Sequence, residues 1–274
     1  MIGWFEALVL GVLQGLTEFL PISSSAHLLV FSELFGWDDP GAAFTAVTQI
    51  GTEAAVLLYF RKDLWRIITT WTGSLVRPAL RGSIDARMGW YVIVGTIPIA
   101  VLGLVFTDQI ETVVRDLRLT AVMLIAFGLL LGLADRVGRE TKPLRQLNLR
   151  DGILYGLGQA CALIPGVSRS GGTITVGLFL GYTREAATRY SFLLAIPAVL
   201  ASGFYEATRL SETSSVSWGP TILAAVVAFA VGYAVIAWFL RFIATHTFIP
   251  FVIYRVGFGA FILLLLATGA ISAT

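Results

Sequence analysis

The sequence predicts an all-α polytopic membrane protein built as an inverted-topology repeat, each half a re-entrant helical hairpin followed by three transmembrane helices. Three observations predict it. Hydrophobic residues make up 57% of the 274 residues and charged residues only 13%, against about 25% charged in a soluble globule, and mean hydropathy is +0.83. The apolar runs are long and unbroken rather than alternating, which selects helices over a barrel. Two polar breaks, each marked by Pro, share residues at matching places.

This composition excludes a disordered chain, a soluble enzyme and a nucleic-acid binder living on a basic surface. The lone cysteine, Cys161, excludes an intramolecular disulfide and a Cys-based zinc site, and His27 and His246 leave little for a His-rich metal site. The first Lys or Arg is Arg61, and Met1–Leu20 holds Glu6 and Glu18 instead. A cleaved signal peptide opens with a basic stretch, so the N-terminal segment is expected to stay in the mature structure.

Taken in order, residues 1–37 read as an apolar helix to Leu20, a Pro-Ile-Ser-Ser-Ser break, and a short helix to Trp37. Spans follow at Gly41–Phe60, Gly89–Thr107 and Leu119–Ala134. Residues 152–183 read as a helix to Ile164, a Pro-Gly-Val-Ser-Arg-Ser-Gly-Gly break, and a short helix to Tyr182. Three more spans come at Tyr190–Tyr205, Trp218–Leu240 and Thr247–Ala270. The short helix after each break falls well under the roughly 20 residues a span needs, which favours a re-entrant hairpin over one long kinked span. Loop charges set the topology. Arg61, Lys62, Arg66, Arg77, Arg81 and Arg87 outweigh Asp63 and Asp85, so that loop is cytoplasmic. The next loop, with Asp108, Glu111 and Asp116 against Arg115 and Arg118, faces out. The third, with Arg136, Arg139, Lys142, Arg145 and Arg150, faces in.

The breaks align. Gly11, Gln14 and Ser23 match Gly156, Gln159 and Ser168 at one constant offset, and Ser25 matches Ser170. Three spans separate the hairpins, so the second enters from the opposite side. The expected organisation is a single integral domain over 1–274, with repeats at about 1–135 and 151–274 joined by a basic cytoplasmic linker.

The chemistry sits in the breaks. Gln14 and Glu18 share a helix face. Ser23, Ser24, Ser25 and His27 follow at the start of a helix, where hydroxyls cap and free N–H groups bind anions. In the second break, Ser168, Ser170 and Thr173 offer hydroxyls, and Arg169 offers a planar fork suited to phosphate oxygens. Serines alone cap helices, glycines alone ease packing, and Glu18 with Arg169 alone makes a structural ion pair. Their conjunction with intramembrane charge in two matched breaks points to a site for a multiply charged anion. Glu18 repels a bare anion, and a divalent cation between carboxylate and phosphate resolves the conflict.

The stretch Gln14-Gly-Leu-Thr-Glu18-Phe-Leu-Pro21-Ile-Ser-Ser-Ser-Ala-His27 resembles the first signature of the bacterial undecaprenyl pyrophosphate phosphatases of the bacitracin-resistance type. Pro165-Gly-Val-Ser168-Arg169-Ser170-Gly-Gly-Thr173 resembles their second. The likeness continues through Ser191-Phe-Leu-Leu-Ala-Ile-Pro197 to Phe248-Ile-Pro-Phe-Val-Ile-Tyr254-Arg255, nearly the whole chain. The resemblance implies a multi-pass enzyme of the bacterial plasma membrane with its site open to the outer face. It implies hydrolysis of C55 polyprenyl diphosphate to the monophosphate, recycling the carrier for peptidoglycan, with dependence on a divalent cation, Mg²⁺ or Ca²⁺. It carries Glu18, Ser23, Ser24, His27, Ser168, Arg169, Ser170 and Thr173 over as site residues. The expected partners are the lipid substrate and the bilayer, with no nucleic acid and a homo-oligomer left open.

One departure stands out. The family often has Glu where this chain has Gln14, and an apolar or small residue is common where this chain has Glu53. Glu53 is therefore expected to join Glu18 as a metal ligand, the alternative being a carboxyl group that is protonated or hydrogen-bonded locally. Three nucleophiles stay open: Ser24 activated by His27, which the three-residue step favours, His27 itself, or a metal-bound water. The rival from another class is a transporter or flippase of a polyprenyl phosphate or other anionic lipid, because inverted repeats with broken helices are a transporter architecture; a non-catalytic lipid-binding protein is the third.

Overall fold

A computed structural model describes residues 2–37, 41–107, 109, 116–209 and 217–273. Among them there is no strand beyond an isolated bridge between Lys142 and Tyr182. The helices are α1 (Trp4–Thr17), α2 (Ser24–Phe35), α3 (Gly41–Tyr59), α4 (Arg61–Val76), α5 (Ile84–Val105), α6 (Leu117–Val137), α7 (Leu149–Ala160), α8 (Arg169–Phe179), α9 (Arg184–Arg209), α10 (Trp218–Ile243) and α11 (Ile249–Thr268). Asp108, Glu111 and Arg115 of the expected outer loop lie outside the described residues.

Five of these helices are long and apolar enough to cross a membrane: α5, α6, α9 over Arg184–Gly203, α10 and α11. Their outer faces are apolar, with Leu104, Ile253 and Leu264 exposed, while the buried interior holds Gln14, Glu53, Ser191 and Arg255. This inversion suits a lipid solvent, where exposed apolar surface costs nothing and polar groups must find partners inside. The expected span Gly41–Phe60 forms the helix α3, but with Gln49 and Glu53 along it α3 is not among these five.

Local sequence sets the helix starts. Ser83, Asp116 and Asn148 each accept a first-turn backbone N–H, at α5, α6 and α7. The helices also run past the expected spans. α5 begins at Ile84 and α9 at Arg184, because a helix continues beyond the hydrocarbon when its charged ends are paired. Arg184 pairs with Asp135 and Glu140, and Arg189 with Asp63.

The stretch read as a cytoplasmic loop holds a helix, α4. Its apolar residues recur at helical spacing, so Ile67 is buried and Trp71 packs under Gly89 of α5. Arg66 bridges Asp63 and Asp85 and ties α4 to the start of α5.

Two packing relations position the site. α1 and α3 lie against α10, and α7 lies against α5. Gly11 and Gly156, matched in the two breaks, make both contacts close. A Cβ on Gly11 would fall 2.6 Å from the Ala224 carbonyl, and one on Gly156 2.3 Å from the Gly95 carbonyl. Small residues let membrane helices approach this closely.

Candidate active site

Each break ends in a serine held at positive φ. Ser23 has φ 71° and Ser168 has φ 68°. Non-glycine residues avoid this region, and such strain clusters at binding and catalytic sites. In both breaks the serine hydroxyl lies 3.2 Å from that of the serine two places on, Ser23 with Ser25 and Ser168 with Ser170. The capping differs. Ser168 Oγ accepts the Gly171 N–H at 3.2 Å, whereas Ser23 makes no side-chain cap and leaves the first turn of α2 open. Open N–H groups at a helix start favour an anion.

A cavity of about 240 Å³ lies between the breaks. Gln14, Glu18, Ser23, Ser24, Ser25, Ser168 and Arg169 give it a polar wall. Thr45 and Gln49 of α3 add to that wall, and Leu28, Ile99, Ala162 and Ile164 supply an apolar one. Such a chamber suits a polar head carrying an apolar tail.

Glu18 is the hub. One carboxylate oxygen accepts from Arg169 Nη2. The other accepts from Ser24 Oγ at 2.6 Å and from Gln14 Nε2 at 3.2 Å. Arg169 Nη2 also lies 4.0 Å from Glu53 Oε1. Behind this pair is a second cavity of about 10 Å³, lined by Glu18, Glu53, Arg169, Ser170 and Ser191. It has room for about one water molecule.

The structure does not pair Ser24 with His27. His27 is buried, with Nδ1 2.7 Å from the Ser23 carbonyl and Nε2 2.7 Å from the Tyr254 hydroxyl, and its ring stacks on Tyr254 and Phe258. Both ring nitrogens are therefore engaged, and Ser24 turns back to Glu18. A three-residue step places two side chains on one helix face but does not choose their partners. Thr173 lines neither cavity. It is buried, bonded to the Arg169 and Ser170 carbonyls and to Ser191 Oγ. Ser170 donates to the Leu20 carbonyl at 3.0 Å and so links the two breaks.

Sequence reasoning assigned no role to Arg255. Fully buried, it donates to the carbonyls of Leu124 (3.1 Å), Pro21 (3.0 Å), Gly166 (2.9 Å) and Val167 (3.0 Å). One guanidinium thus satisfies three carbonyls in the two breaks, those of Pro21, Gly166 and Val167, and ties them to Leu124 within α6. The signal was available: a charge inside an apolar helix is a functional candidate by default.

The donor set suits a divalent cation. Among the described residues, Gln14 Oε1 and Glu53 Oε2 are buried without a hydrogen-bond partner. No three His, Cys, Asp or Glu side chains gather among the described residues. The unpartnered oxygens are thus one from the Glu53 carboxyl group and one from the Gln14 amide, and the Glu18 carboxylate is shared with Arg169, Ser24 and Gln14. Such hard, sparse oxygen donors are the kind that hold Mg²⁺ together with substrate phosphates.

The chain matches the family model described as bacitracin resistance protein BacA over residues 7–261. It is 60% identical over 281 residues to undecaprenyl-diphosphatase 2 of Streptomyces coelicolor, covering 98% of this chain and 97% of that one. It is 59% identical to the undecaprenyl-diphosphatase of Nocardioides sp. over the full length of both chains. It is 58% identical to that of Micrococcus luteus, over 98% of this chain and 99% of that one. With the two serine-bearing breaks and the Glu18–Arg169 hub inside the matched region, the chain belongs to the bacitracin resistance protein BacA family.

Proposed function

We propose that the chain hydrolyses undecaprenyl diphosphate to the monophosphate and inorganic phosphate, recycling the lipid carrier for peptidoglycan synthesis and supporting bacitracin resistance. The observation that carries this reading is a polar cavity with one apolar wall, in a chain about 60% identical over its length to proteins named for this reaction. Purified protein should release phosphate from polyprenyl diphosphate. Redistribution of the lipid between leaflets without phosphate release would favour a transporter instead.

The roles of the residues follow from the hub. Arg169 and the open first turn of α2 hold the diphosphate and stabilise the charge that develops on transfer. Ser24 Oγ attacks the terminal phosphorus, its proton passes to Glu18, and the anhydride bond breaks with its electron pair leaving on the polyprenyl monophosphate. Water then hydrolyses the phosphoserine. The 2.6 Å contact between Ser24 and Glu18 supports this assignment. His27 is a positioning residue that holds Ser23 in its strained conformation through the 2.7 Å contact to its carbonyl. Glu18, Gln14 and Glu53 are the groups that would hold a divalent cation, Mg²⁺ or Ca²⁺. When bound, it neutralises phosphate charge beside the carboxylates.

The inverted repeat, at about 1–135 and 151–274, is part of this reading. Each hairpin's ends meet. Phe5 and Trp37 rings contact at 6.5 Å, and Tyr182 donates to Asp151 at 2.6 Å. Helices α1, α2, α7 and α8 have 14, 12, 12 and 11 residues. At 1.5 Å per residue these are about 16–21 Å long, short of a hydrocarbon core of roughly 30 Å. The contacts of α1 with α10 and of α7 with α5 exchange under the repeat. The basic segments meet at one end, where Arg189 reaches Asp63, and Lys142 reaches Asp151. By the positive-inside rule that end is cytoplasmic, so the first hairpin enters from the outer face of the plasma membrane.

A further inference from the structure

Arg169 does two incompatible things in the reading above. It must grip phosphate, yet in the free protein it is bonded to Glu18 and lies 4.0 Å from Glu53 Oε1. Glu18 and Arg169 line both the larger and the smaller cavity, so this ion pair is the partition between them. The orphaned oxygens sit on either side of it. Gln14 lines the larger cavity and Glu53 the smaller, and each is nine-tenths or more buried with an unpartnered oxygen. Two carboxyl groups face one guanidinium, so drawing that guanidinium away leaves the Glu18 carboxylate and the half-partnered Glu53 carboxyl group buried with no cation beside them. Uncompensated buried charge is strongly disfavoured, and a cation is the compensation that an all-oxygen set accepts best.

We propose that Arg169 is the built-in counter-ion of a cation site formed by Glu18, Glu53 and Gln14 Oε1. A diphosphate headgroup draws Arg169 away and so creates the site that the cation fills. Diphosphate and cation then bind with positive coupling, each raising the other's affinity by the same factor. This inference rests on the diphosphate reading of the larger cavity and adds Glu53, on α3, to the groups that serve it.

The test is Mn²⁺ binding to the purified full-length protein, followed by the spectroscopic signal of free Mn²⁺. It is run with and without methylenediphosphonate, a non-hydrolysable diphosphate, after subtracting the analogue's own Mn²⁺ complexation. The expected result is weak Mn²⁺ binding alone and binding tighter by about tenfold with the analogue, within the usual range of coupling between sites. Arg169→Gln should bind Mn²⁺ tightly without the analogue and gain nothing from it. Glu53→Gln should lose the tight site in both conditions. Unchanged Mn²⁺ affinity in Arg169→Gln, or a tight site surviving Glu53→Gln, overturns the proposal. If Arg169→Gln fails to fold, the coupling in the unaltered protein and its loss in Glu53→Gln still decide the matter. Phosphate release from polyprenyl diphosphate is measured on the same preparation. Release without Mn²⁺ coupling sinks this inference alone, whereas no release sinks the diphosphatase reading.

Discussion

Arg255, near the end of the chain, donates to the carbonyl of Pro21 across 3.0 Å, and the same guanidinium reaches Gly166 and Val167. The two breaks that build the site are therefore joined by a side chain belonging to neither. A helix that stops inside a buried interior leaves carbonyls with no water to bond, and each needs an internal donor. Five donors in a planar fork serve several at once.

Arg255→Lys should expose that dependence. Lysine has one donor atom and cannot span four carbonyls, and each buried acceptor left unpaired costs about 1–3 kcal/mol. The thermal unfolding midpoint should fall by roughly 5–10 °C, with phosphate release reduced more than tenfold. A midpoint equal to that of the unaltered protein would show that the breaks do not rely on Arg255.

Arg169→Lys should fold normally and lose activity by about 100-fold or more, the scale seen when one preorganised donor to a reacting group is removed. Lysine keeps the charge but not the paired donors. Near-normal turnover, with thermal stability intact, would remove Arg169 from phosphate recognition.

Ser24 and His27 should separate kinetically. Ser24→Ala removes the attacking hydroxyl, so turnover and the acid-stable phosphoserine should both disappear. Tyr254→Phe removes only the 2.7 Å contact to His27 Nε2 and should lower activity less than about tenfold. If Ser24→Ala still turns over while His27→Gln is dead, the attack belongs to His27 or to water.

Glu53→Gln should raise the Mg²⁺ concentration needed for half-maximal phosphate release by about tenfold, as expected on losing one charged ligand. Gln14→Glu in that background should bring it part of the way back. Overlapping Mg²⁺ titrations for Glu53→Gln and the unaltered protein would reduce Glu53 to a structural residue.

Topology has a direct readout. In a Cys161→Ser background, Asp38→Cys should react with an impermeant thiol reagent from outside the cell, although Asp38 itself lies outside the described residues. Arg81→Cys should react only after permeabilisation. Labelling of both from the same side contradicts the inverted repeat.

The sequence by itself determined the class of fold and the location of the chemistry. Lipid offers no backbone partners, so long apolar runs such as Trp218–Ile243 have to be helices. Pro21, Pro165 and the residues around them mark where helices stop. Gln14, Glu18, Ser23, Ser24, Ser25, Ser168 and Arg169, named from spacing and resemblance, do line one cavity. Helix α4 was hidden because its charges carried the topology signal and masked the amphipathic period beneath. Tertiary structure decided the pairings, including the Glu18–Arg169 ion pair that the sequence offered only as one alternative. Glu18 and Arg169 are 151 residues apart in the chain, and Arg255 and Pro21 are 234 apart. Helical spacing gives a residue's face but not the element that meets that face. Ser24 therefore looked like a partner for His27 until the fold brought Glu18 to one and Tyr254 to the other. Packing against remote helices settles which buried group meets which, and hydrogen-bond satisfaction in a dry interior makes that choice binding.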